Sequence, residues 1–353
     1  MSPARGVSPR AATGFRRALH SWYRRHHRPL PWRGTRDPYS VWVSEVLLQQ
    51  TRVSTVLERY PAFLEAFPDI ASLARAPESR VLAAWSGLGY YRRARMLHRA
   101  ARLLRDQHAG RFPGEFEAIA ALPGVGRSTA GAIYSIAFDR PAPILDGNVA
   151  RVLQRLHAAP GGGAPAPARL WAMAEALLPA RSGHVHSQAM MELGAMVCTP
   201  LAPRCGDCPV ARWCGARAHG LQQRVPAPRP RAKGVAVDEH AAVAWRGSKL
   251  VLERRPQGGQ LDGLVGLPLA GSRTALLGRL GRGARVSGEL PMVRHSILNR
   301  RMRTFVWEAE LPTGARLAPG LETFTPARIF EQPLDGTARK VLRARLEAER
   351  PRQ

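Results

Sequence analysis

The chain has 353 residues, 45% of them hydrophobic, and 53 basic side chains against 26 acidic ones give a formal net charge of +27. This length and composition predict two folded domains and exclude a wholly disordered chain. No apolar stretch approaches the ~18 residues of a membrane span, and the N-terminal residues lack the apolar core of a signal peptide. We therefore expect a cytoplasmic protein with no membrane partner. The excess of positive charge favours a polyanionic partner, most often a nucleic acid.

Residues 1–215 predict a helical domain, because apolar residues recur at about the 3.6-residue period between Gly and Pro. The predicted helices cover residues 14–25, 39–66, 70–74, 78–84, 90–107, 127–138, 147–156, 168–178 and 182–197.

Glu45 interrupts an apolar run in the predicted helix 39–66. It lies either on the solvent face or in the interior. We favour burial, because Val41, Trp42 and Val46 surround it along the sequence. Burial raises the pKa of a carboxyl group and makes it a suitable general acid near neutral pH.

A Gly-rich turn precedes the predicted helix 127–138, in the segment Leu122-Pro-Gly-Val-Gly-Arg127. Gly124 and Gly126 allow the backbone to approach an anion, toward which the N–H groups of the following helix point. The segment could also be an ordinary connection between two helices. Together with the positive charge of the chain, it favours a hairpin that binds DNA phosphates.

Asp146 lies directly before the predicted helix 147–156, where an Asp commonly caps the helix. A capping carboxylate that accepts backbone N–H bonds stays ionised, so it can also stabilise a developing cation. A protonated acid and an ionised carboxylate together cleave glycosidic bonds through an oxocarbenium-like state. On a DNA-binding scaffold, this pair indicates a base glycosylase, which must flip its target nucleotide out of the duplex.

The four cysteines of the chain form one short array, Cys198, Cys205, Cys208 and Cys214. Two disulfides are disfavoured in a chain expected to be cytoplasmic. A zinc site usually contains two closely spaced Cys pairs, whereas this array has one. Four thiolates with uneven spacing also suit a [4Fe–4S] cluster. Spacing alone therefore leaves zinc and iron open.

Residues 216–234 predict an interdomain linker, because they are polar, rich in Pro and without periodicity. The pattern then changes to β-like runs at 240–245, 249–253 and 303–311, followed by an amphipathic helix at 335–349. Residues 235–353 therefore predict a smaller α+β domain.

Seven motifs resemble those of the A/G-specific adenine DNA glycosylases, in the helix–hairpin–helix, endonuclease III superfamily. They are the hairpin, the cysteine array, Leu30-Pro-Trp-Arg33, Trp42-Val-Ser-Glu-Val-Leu-Leu-Gln-Gln-Thr51, Gly87-Leu-Gly-Tyr-Tyr91, Leu145-Asp-Gly-Asn148 and Met191-Glu-Leu-Gly-Ala195. The resemblance implies a mostly α helix–hairpin–helix glycosylase domain at 1–215 with an iron–sulfur loop at 198–214. It also implies a smaller α+β, Nudix-like domain for recognition of the damaged base at 235–353.

The resemblance assigns roles to the matching residues. Glu45 would protonate the adenine, Asp146 would stabilise the oxocarbenium ion, and Asn148 would support this pair. The adenine pocket would contain Arg28, Trp32, Arg33 and Glu192. The groups that enter the base stack or otherwise contact DNA would be Gln50, Thr51, Tyr90, Gly124, Gly126 and Ser128. The cofactor would be a [4Fe–4S] cluster held by the four cysteines.

The implied reaction is hydrolytic excision of adenine opposite 8-oxoguanine or guanine, in base excision repair. The implied partner is double-stranded DNA, bound by a monomer associated with the nucleoid in a bacterial cytoplasm. Relatives that also cleave the strand carry a hairpin Lys that forms a Schiff base. Here Ser128 stands at that position and no Lys precedes Lys233, so no lyase activity is expected.

The chain departs from the family where relatives recognise 8-oxoguanine through a Phe-Ser-His motif. Ile297, Leu298 and Asn299 stand at those three positions. We expect His295 and Asn299 to contact the damaged base, with weaker discrimination because Leu298 lacks the Ser hydroxyl.

Two other functions are considered. One is a monofunctional glycosylase of the same superfamily that excises thymine from G·T pairs; Glu192 argues against it, because a carboxylate can accept a hydrogen bond from an adenine amino group. The other is a non-enzymatic DNA-binding protein with a four-cysteine metal site, which the presence of both Glu45 and Asp146 disfavours.

Overall fold

A computed structural model describes residue 7 and residues 9–161, 163–227, 234–259, 261–297 and 299–348. Leu298, residues 228–233 of the predicted linker and the end of the last predicted helix lie outside these ranges. No helix in the described part of the chain is long and apolar enough to cross a membrane.

The N-terminal part of the chain is helical, as its periodicity predicted. Its α-helices are α1 (Pro9–His26), α2 (Pro38–Leu48), α3 (Val53–Ala66), α4 (Ile70–Arg75), α5 (Glu78–Trp85), α6 (Arg92–Gln107), α7 (Phe116–Ala120), α8 (Arg127–Phe138), α9 (Gly147–Leu156), α10 (Pro167–Ala176), α11 (Gly183–Met196) and α12 (Gly215–Ala218). The bounds of α8 and α9 are those predicted, whereas α7 and α12 were not predicted.

The prediction of one continuous helix over 39–66 was wrong. Gln49 ends α2 in an extended conformation, and Gln50 is left-handed with a φ of 56°. The Gln49 side chain donates a hydrogen bond from Nε2 to Oγ1 of Thr129 in α8, at 3.3 Å. This long-range contact accompanies the break, and periodicity along the chain cannot reveal it. The break leaves Gln50 exposed in a conformation that is uncommon for a residue other than Gly.

Helices α7 and α8 form a helix–hairpin–helix unit, which confirms the predicted hairpin. The turn between them uses Gly124 at a φ of 77°, and the Val125 N–H donates to the Leu122 carbonyl at 3.0 Å. Gly126 begins α8 without a side-chain cap, and a Cβ atom there would meet nothing within 4 Å. The first N–H groups of α8 are therefore open to a ligand such as a phosphate.

Glycines allow α8, α9 and α11 to pack closely. A Cβ atom on Gly131 of α8 would lie 2.3 Å from the Pro143 carbonyl oxygen, and one on Gly194 of α11 would lie 2.7 Å from the Asn148 Cβ atom. The segment that ends at Asp146 and the first turn of α9 are thus held against their neighbours by direct backbone contact.

The C-terminal part of the chain is a mixed sheet with helices on both faces. Its elements are β1 (Val235–Arg246), β2 (Lys249–Arg254), β3 (Val265–Gly266), β4 (Leu269–Ala270), α13 (Arg273–Leu280), β5 (Arg285–Ile297), β6 (Arg300–Leu311), β7 (Leu321–Phe324) and α14 (Gly336–Ala348). The strand order is β3-β2-β1-β6-β5, with β4 paired to β1 and β7 to β2. β1 and β6 are parallel, whereas β1–β2 and β5–β6 are antiparallel.

Each face of this sheet buries a separate core. Ala241 and Val243 of β1 pack on the α14 side with Val341, whereas Ala242 and Ala244 pack on the α13 side with Leu276, Leu280 and Val251. Burial of both faces explains why residues 241–245 of β1 form a continuous apolar run rather than an alternating one.

The predicted α+β architecture is confirmed, although β3, β4, β5, β7 and α13 were not predicted. Strand β5 contains Gly288 and Pro291, and its register with β6 shifts twice. These bulges disrupt the two-residue alternation by which a strand is recognised in a sequence.

The contacts of the chain define two units. The first consists of Met1–Leu64, Asp69–Ala71 and Ala100–Pro230, and the second of Glu65–Pro68, Ser72–Arg99 and Arg231–Gln353. The domain boundaries at 215 and 235 remain a prediction from the sequence. They place the segment Ser72–Arg99 in the helical domain, whereas the contacts place it in the second unit.

Gly131→Ala is expected to destabilise the protein by about 1–3 kcal/mol, the usual cost of an extra methyl group in a packed site. The added Cβ atom would lie 2.3 Å from the Pro143 carbonyl oxygen, and the backbone would have to shift. Urea denaturation measures the difference. Gly114→Ala is the matched control, because its Cβ atom would meet nothing within 4 Å. Equal stability of the two variants would contradict the close approach.

Candidate active site

The first unit encloses a cavity of about 270 Å³. This is slightly below the ~300–1,000 Å³ typical of small-molecule sites, so it suits a group the size of one nucleobase. It brings together nine residues predicted from the sequence: Arg28, Trp32, Arg33, Glu45, Thr51, Ser128, Asp146, Asn148 and Glu192. It is completed by Leu30, Val41, Ser44, Leu48, Gln49, Val53, Thr129, Ala132, Ile136, Ile144, Gln188, Met191 and Ala195.

Glu45 presents its carboxyl group to this cavity from the middle of α2. Its sequence neighbours Val46 and Ser44 are buried, whereas Glu45 keeps some exposed surface because it faces the cavity. Burial and, second, the charge of Asp146 raise the pKa of Glu45 to about 7, against the opposing charge of Arg33. The predicted direction of this shift is confirmed. A large fraction of Glu45 is therefore protonated at neutral pH.

Asp146 caps α9, as predicted. Its Oδ1 atom accepts a hydrogen bond from the Val149 N–H at 2.7 Å, and its Oδ2 atom accepts one from Nδ2 of Asn148 at 3.2 Å. Burial nevertheless raises the pKa of Asp146 above its usual value, although these bonds and the charge of Arg151 oppose the rise. The sequence predicted that the capping bonds favour the ionised carboxylate, and the structure adds an opposing effect of burial.

Asn148 is held in one orientation by Arg151. The Asn148 Oδ1 atom accepts from Nη2 of Arg151 at 2.8 Å, which leaves the amide nitrogen to donate to Asp146. Arg151 is fixed in turn, since it donates from Nη2 to the Gly194 carbonyl at 2.8 Å and from Nε to the Cys198 carbonyl at 2.7 Å. The start of α9 is thereby tied to α11 and to the first cysteine of the array.

Glu192 is fully buried and binds two arginines. Its Oε1 atom accepts from the backbone N–H and Nε of Arg28, both at 2.9 Å. Its Oε2 atom accepts from Nη2 of Arg28 at 2.7 Å and from Nη2 of Arg33 at 2.5 Å. Burial would raise the pKa of Glu192, but the bonds and charges of the two arginines outweigh it and lower the pKa.

A carboxylate has about four lone-pair positions, and Glu192 uses four. The sequence argument that Glu192 accepts directly from an adenine amino group therefore does not fit this arrangement. Glu192 instead fixes the two guanidinium groups beside the cavity.

Gln188 is a cavity residue that the sequence analysis missed. Its Oε1 atom accepts from the Tyr23 hydroxyl at 2.7 Å and from Nη1 of Arg33 at 3.1 Å. These bonds leave the Nε2 group as the end of the amide that can donate to a ligand. Gln188 and Glu192 are four residues apart on α11, so they lie on one face of the helix. That spacing is the signal that could have identified Gln188.

Two further predicted residues, Trp32 and Ser128, form part of the cavity wall and also contact neighbouring parts of the domain. Trp32 is 6% exposed and packs edge-on against Tyr60, with 5.5 Å between ring centroids, so it is both a core aromatic and a cavity wall. Ser128 accepts a hydrogen bond from the Leu145 N–H at 3.1 Å and so helps to position the segment before Asp146.

Several predicted DNA contacts do not line the cavity. Gln50 is exposed, Gly124 and Gly126 form the hairpin turn, and Tyr90 is 53% exposed in the second unit. His295 is half-buried, and its Nδ1 atom is buried without a hydrogen-bond partner among the described residues. Asn299 is exposed.

The four cysteines have free thiols and are half-buried. Burial raises the pKa of Cys208 to about 12, and the nearby Cys198, Cys214 and Cys205 add to the rise. Arg155 donates from Nη1 to the Cys198 Sγ atom at 3.3 Å. Within the described ranges, no three His, Cys, Asp or Glu side chains could hold one metal ion. The four thiols nevertheless lie near one another, since the other three add to the raised pKa of Cys208. In a [4Fe–4S] cluster each thiolate would bind a different iron rather than converge on one ion.

Comparison with known proteins identifies the class. Residues 43–173 match the model of the HhH-GPD superfamily of base excision DNA repair proteins. The structure resembles a thermostable thymine-DNA glycosylase with a TM-score of 0.55 and 28% identity, over 59% of this chain and 97% of that one.

The particular family follows from two relatives. The adenine DNA glycosylase of Mycobacterium tuberculosis is 42% identical over 60% of this chain and 70% of its own length. That of Rattus norvegicus is 44% identical over 74% of this chain and 52% of its own length, so the chain spans about half of the rat protein. The chain belongs to the adenine DNA glycosylase family.

Asp146→Asn is expected to lower the pKa of Glu45 below its value of about 7, because the neighbouring negative charge that disfavours a second carboxylate is removed. Titration of the side-chain carboxyl carbon by NMR measures this shift directly. Asp106→Asn is the control, since Asp106 is exposed and pairs with Arg105. An unchanged Glu45 titration in Asp146→Asn would show that the two carboxyl groups are not coupled.

Proposed function

We propose that this protein excises adenine from duplex DNA in base excision repair, where adenine is mispaired with 8-oxoguanine or guanine. The observation that carries the proposal is the pairing of Glu45 and Asp146 in one cavity of nucleobase size. The adenine is flipped out of the duplex into this cavity, where its N-glycosidic bond is hydrolysed.

The two carboxyl groups have different tasks. Glu45, protonated in part at neutral pH, donates its proton to a ring nitrogen of the adenine as the bond to the sugar breaks. The bonding electron pair leaves with the base, and the sugar becomes an oxocarbenium ion that the Asp146 carboxylate stabilises. Water then adds to the sugar carbon and returns a proton to the Glu45 carboxylate.

Adenine recognition depends on donors rather than on the Glu192 carboxylate. Arg28, Arg33 and Gln188 surround one part of the cavity, and Gln188 has its Nε2 group available. Ring nitrogens of adenine are acceptors that match such donors. Glu192 keeps Arg28 and Arg33 in place, which makes the recognition surface rigid before DNA arrives.

A Schiff-base lyase step is not part of the proposal. Ser128 replaces the hairpin Lys of lyase relatives, and its Oγ atom accepts from the Leu145 N–H. No Lys precedes Lys233 in the sequence, so residues 1–232 have no lysine amine that could form a Schiff base.

We further propose that Cys198, Cys205, Cys208 and Cys214 hold a [4Fe–4S] cluster. When bound, the cluster supplies positive iron charge that keeps the thiols deprotonated and crosslinks the 198–214 loop. Arg155 supports it from the protein side, since this buried guanidinium donates to Cys198 Sγ and also to the Thr199 carbonyl at 2.7 Å.

The protein would bind DNA as a monomer, through the hairpin and its positive charge, at the nucleoid in the cytoplasm. His295 and Asn299 would contact 8-oxoguanine, with weaker discrimination against guanine than the Phe-Ser-His motif provides. Gln50, with its left-handed backbone, and Tyr90 would enter the base stack beside the orphaned base, and Thr51 at the cavity would contact the DNA next to Gln50.

A second candidate substrate is thymine opposite guanine. It is supported by the structural similarity to the thymine-DNA glycosylase. The family membership favours adenine.

Single-turnover excision should be fastest from A·8-oxoguanine duplexes, slower from A·G and absent from T·G. Glu45→Gln should bind these duplexes but lose at least about 10²-fold in excision rate, because an amide cannot donate an acidic proton. Predominant release of thymine from T·G would favour the second candidate. Excision by Glu45→Gln within tenfold of the wild-type rate would overturn the assignment of the general acid.

The pH profile of the wild-type protein provides an internal check. Excision should fall as pH rises through about 7, where Glu45 loses its proton. It should also fall in acid as Asp146 becomes protonated, at a pH above the usual Asp pKa because burial raises that pKa.

Cys208→Ser is expected to lose the thiolate-to-iron charge-transfer absorption and to weaken DNA binding. The reason is that the 198–214 loop, which carries the exposed Arg204, would no longer be crosslinked. Absorption spectra and iron analysis measure the cluster, and fluorescence anisotropy measures binding. Gly206→Ala in the same loop is the control, since its Cβ atom would meet nothing within 4 Å. A Cys208→Ser protein with full iron content and a wild-type spectrum would contradict the cluster assignment.

A further inference from the structure

The turn between α5 and α6 exposes an aromatic ring on a strained backbone. Tyr90 is 53% exposed and has a left-handed φ of 48°, after Gly87 at 92° and Gly89 at 67°. A left-handed conformation costs a bulky residue roughly 1–2 kcal/mol. Such strain persists only where the surroundings determine the conformation, and it is concentrated at functional sites.

Residues of α5 and α6 hold the turn from one side. The Trp85 indole N–H donates to the Gly89 carbonyl at 3.1 Å. Arg93 donates from Nη2 to the carbonyls of Leu88 at 3.1 Å and Gly89 at 3.3 Å. The Arg93 guanidinium also lies 5.7 Å from the centroid of the Tyr90 ring, within reach of a cation–π contact.

Residues at the start of α14 also form hydrogen bonds to this turn. They are far along the chain but belong to the same unit. The buried Leu334 carbonyl accepts from the Ser86 hydroxyl at 2.5 Å and from the Tyr91 hydroxyl at 3.0 Å. Arg339, in the first turns of α14, donates from Nε to Ser86 Oγ at 2.7 Å. The residues on both sides of the exposed ring are therefore fixed by one short segment of the C-terminal chain.

This segment is itself rigid. Asp335 caps α14 by accepting from the Ala338 N–H at 2.8 Å, and it also accepts from Nη2 of Arg255 at 2.8 Å. Arg255 in turn donates from Nη1 to Glu253 of β2 at 2.9 Å. The position of the Leu334 carbonyl is thus set by the sheet through a buried ionic network.

We propose that Arg339 and the Leu334 carbonyl are positioning groups that hold Tyr90 in the conformation that inserts into the DNA base stack. This inference rests on the proposed action on duplex DNA. An exposed ring that is already ordered loses little conformational entropy on insertion, which favours binding. The C-terminal segment then contributes to DNA binding indirectly, because it fixes Tyr90. This contribution is separate from direct contacts between the C-terminal residues and the damaged base.

The test uses a duplex with the fluorescent base 2-aminopurine beside 8-oxoguanine, whose emission rises when stacking is disturbed. Two variants of the 353-residue chain remove the contacts: Arg339→Ala, and Tyr91→Phe, which keeps the buried ring. Arg343→Ala is the matched control, because it removes the same charge from the same helix and its side chain is 54% exposed. Arg339→Ala and Tyr91→Phe should lose most of the emission change and slow single-turnover excision about tenfold. Arg343→Ala should retain both.

A double variant separates positioning from simple stability. In a Tyr90→Ala background, Arg339→Ala should lower the single-turnover excision rate by less than a further twofold. An equal loss in both backgrounds, or a full emission change in Arg339→Ala and Tyr91→Phe, would overturn the proposal. Tyr91→Phe decides the matter if Arg339→Ala does not fold. The emission change reports insertion and does not require excision. If the wild-type protein binds the duplex without excising adenine, the proposed function is contradicted. The emission of the variants can still be compared in that case.

Discussion

The capped start of α9 is the constraint on which the rest of the site depends. Asp146 is bound to the Val149 N–H, so the direction of its carboxylate is set by the helix itself. The helix is located in turn by Gly194 of α11, where a Cβ atom would collide with Asn148, and by Arg151. A carboxylate held in this way stabilises a cation without first having to reorganise. The capping role and the proposed chemical role therefore require the same geometry.

Burial, together with the charge of Asp146, explains why Glu45 is the group that keeps a proton. Arg28 and Arg33 both pair with Glu192, whereas the positive charge near Asp146 is that of Arg151. Ionised Glu45 would be a further carboxylate in a buried site beside the charge of Asp146, which is costly. Glu192 also affects this balance, because it holds Arg33, whose charge opposes the rise in the pKa of Glu45.

Chemistry that depends on single residues could be predicted from the sequence, whereas features that depend on distant contacts could not. Glu45 stands among apolar neighbours, and that local fact predicts both its environment and the direction of its pKa shift. Asp146 before Gly147 predicts the cap. In contrast, the break of the predicted helix after Gln49 accompanies a hydrogen bond to Thr129, some 80 positions away. Glu192 likewise binds Arg28 and Arg33, which lie more than 150 positions earlier in the chain. Its oxygens are therefore not free to accept from a ligand, and the sequence around Glu192 does not reveal this.

The repulsion between the two carboxyl groups has opposite consequences before and during the proposed reaction. Before the bond breaks, the charge of Asp146 raises the pKa of Glu45 and so helps to keep the acid protonated. When Glu45 gives its proton to the departing base, both groups become anionic at the moment when the sugar acquires a positive charge. The cation then compensates the repulsion, and both carboxylates can stabilise it. The repulsion that opposes ionisation of Glu45 in the resting cavity is thus offset in the transition state by the attraction of both carboxylates to the cation, and this difference favours catalysis. Because the protons belong to the coupled pair, a change in either carboxyl group alters the titration of the other.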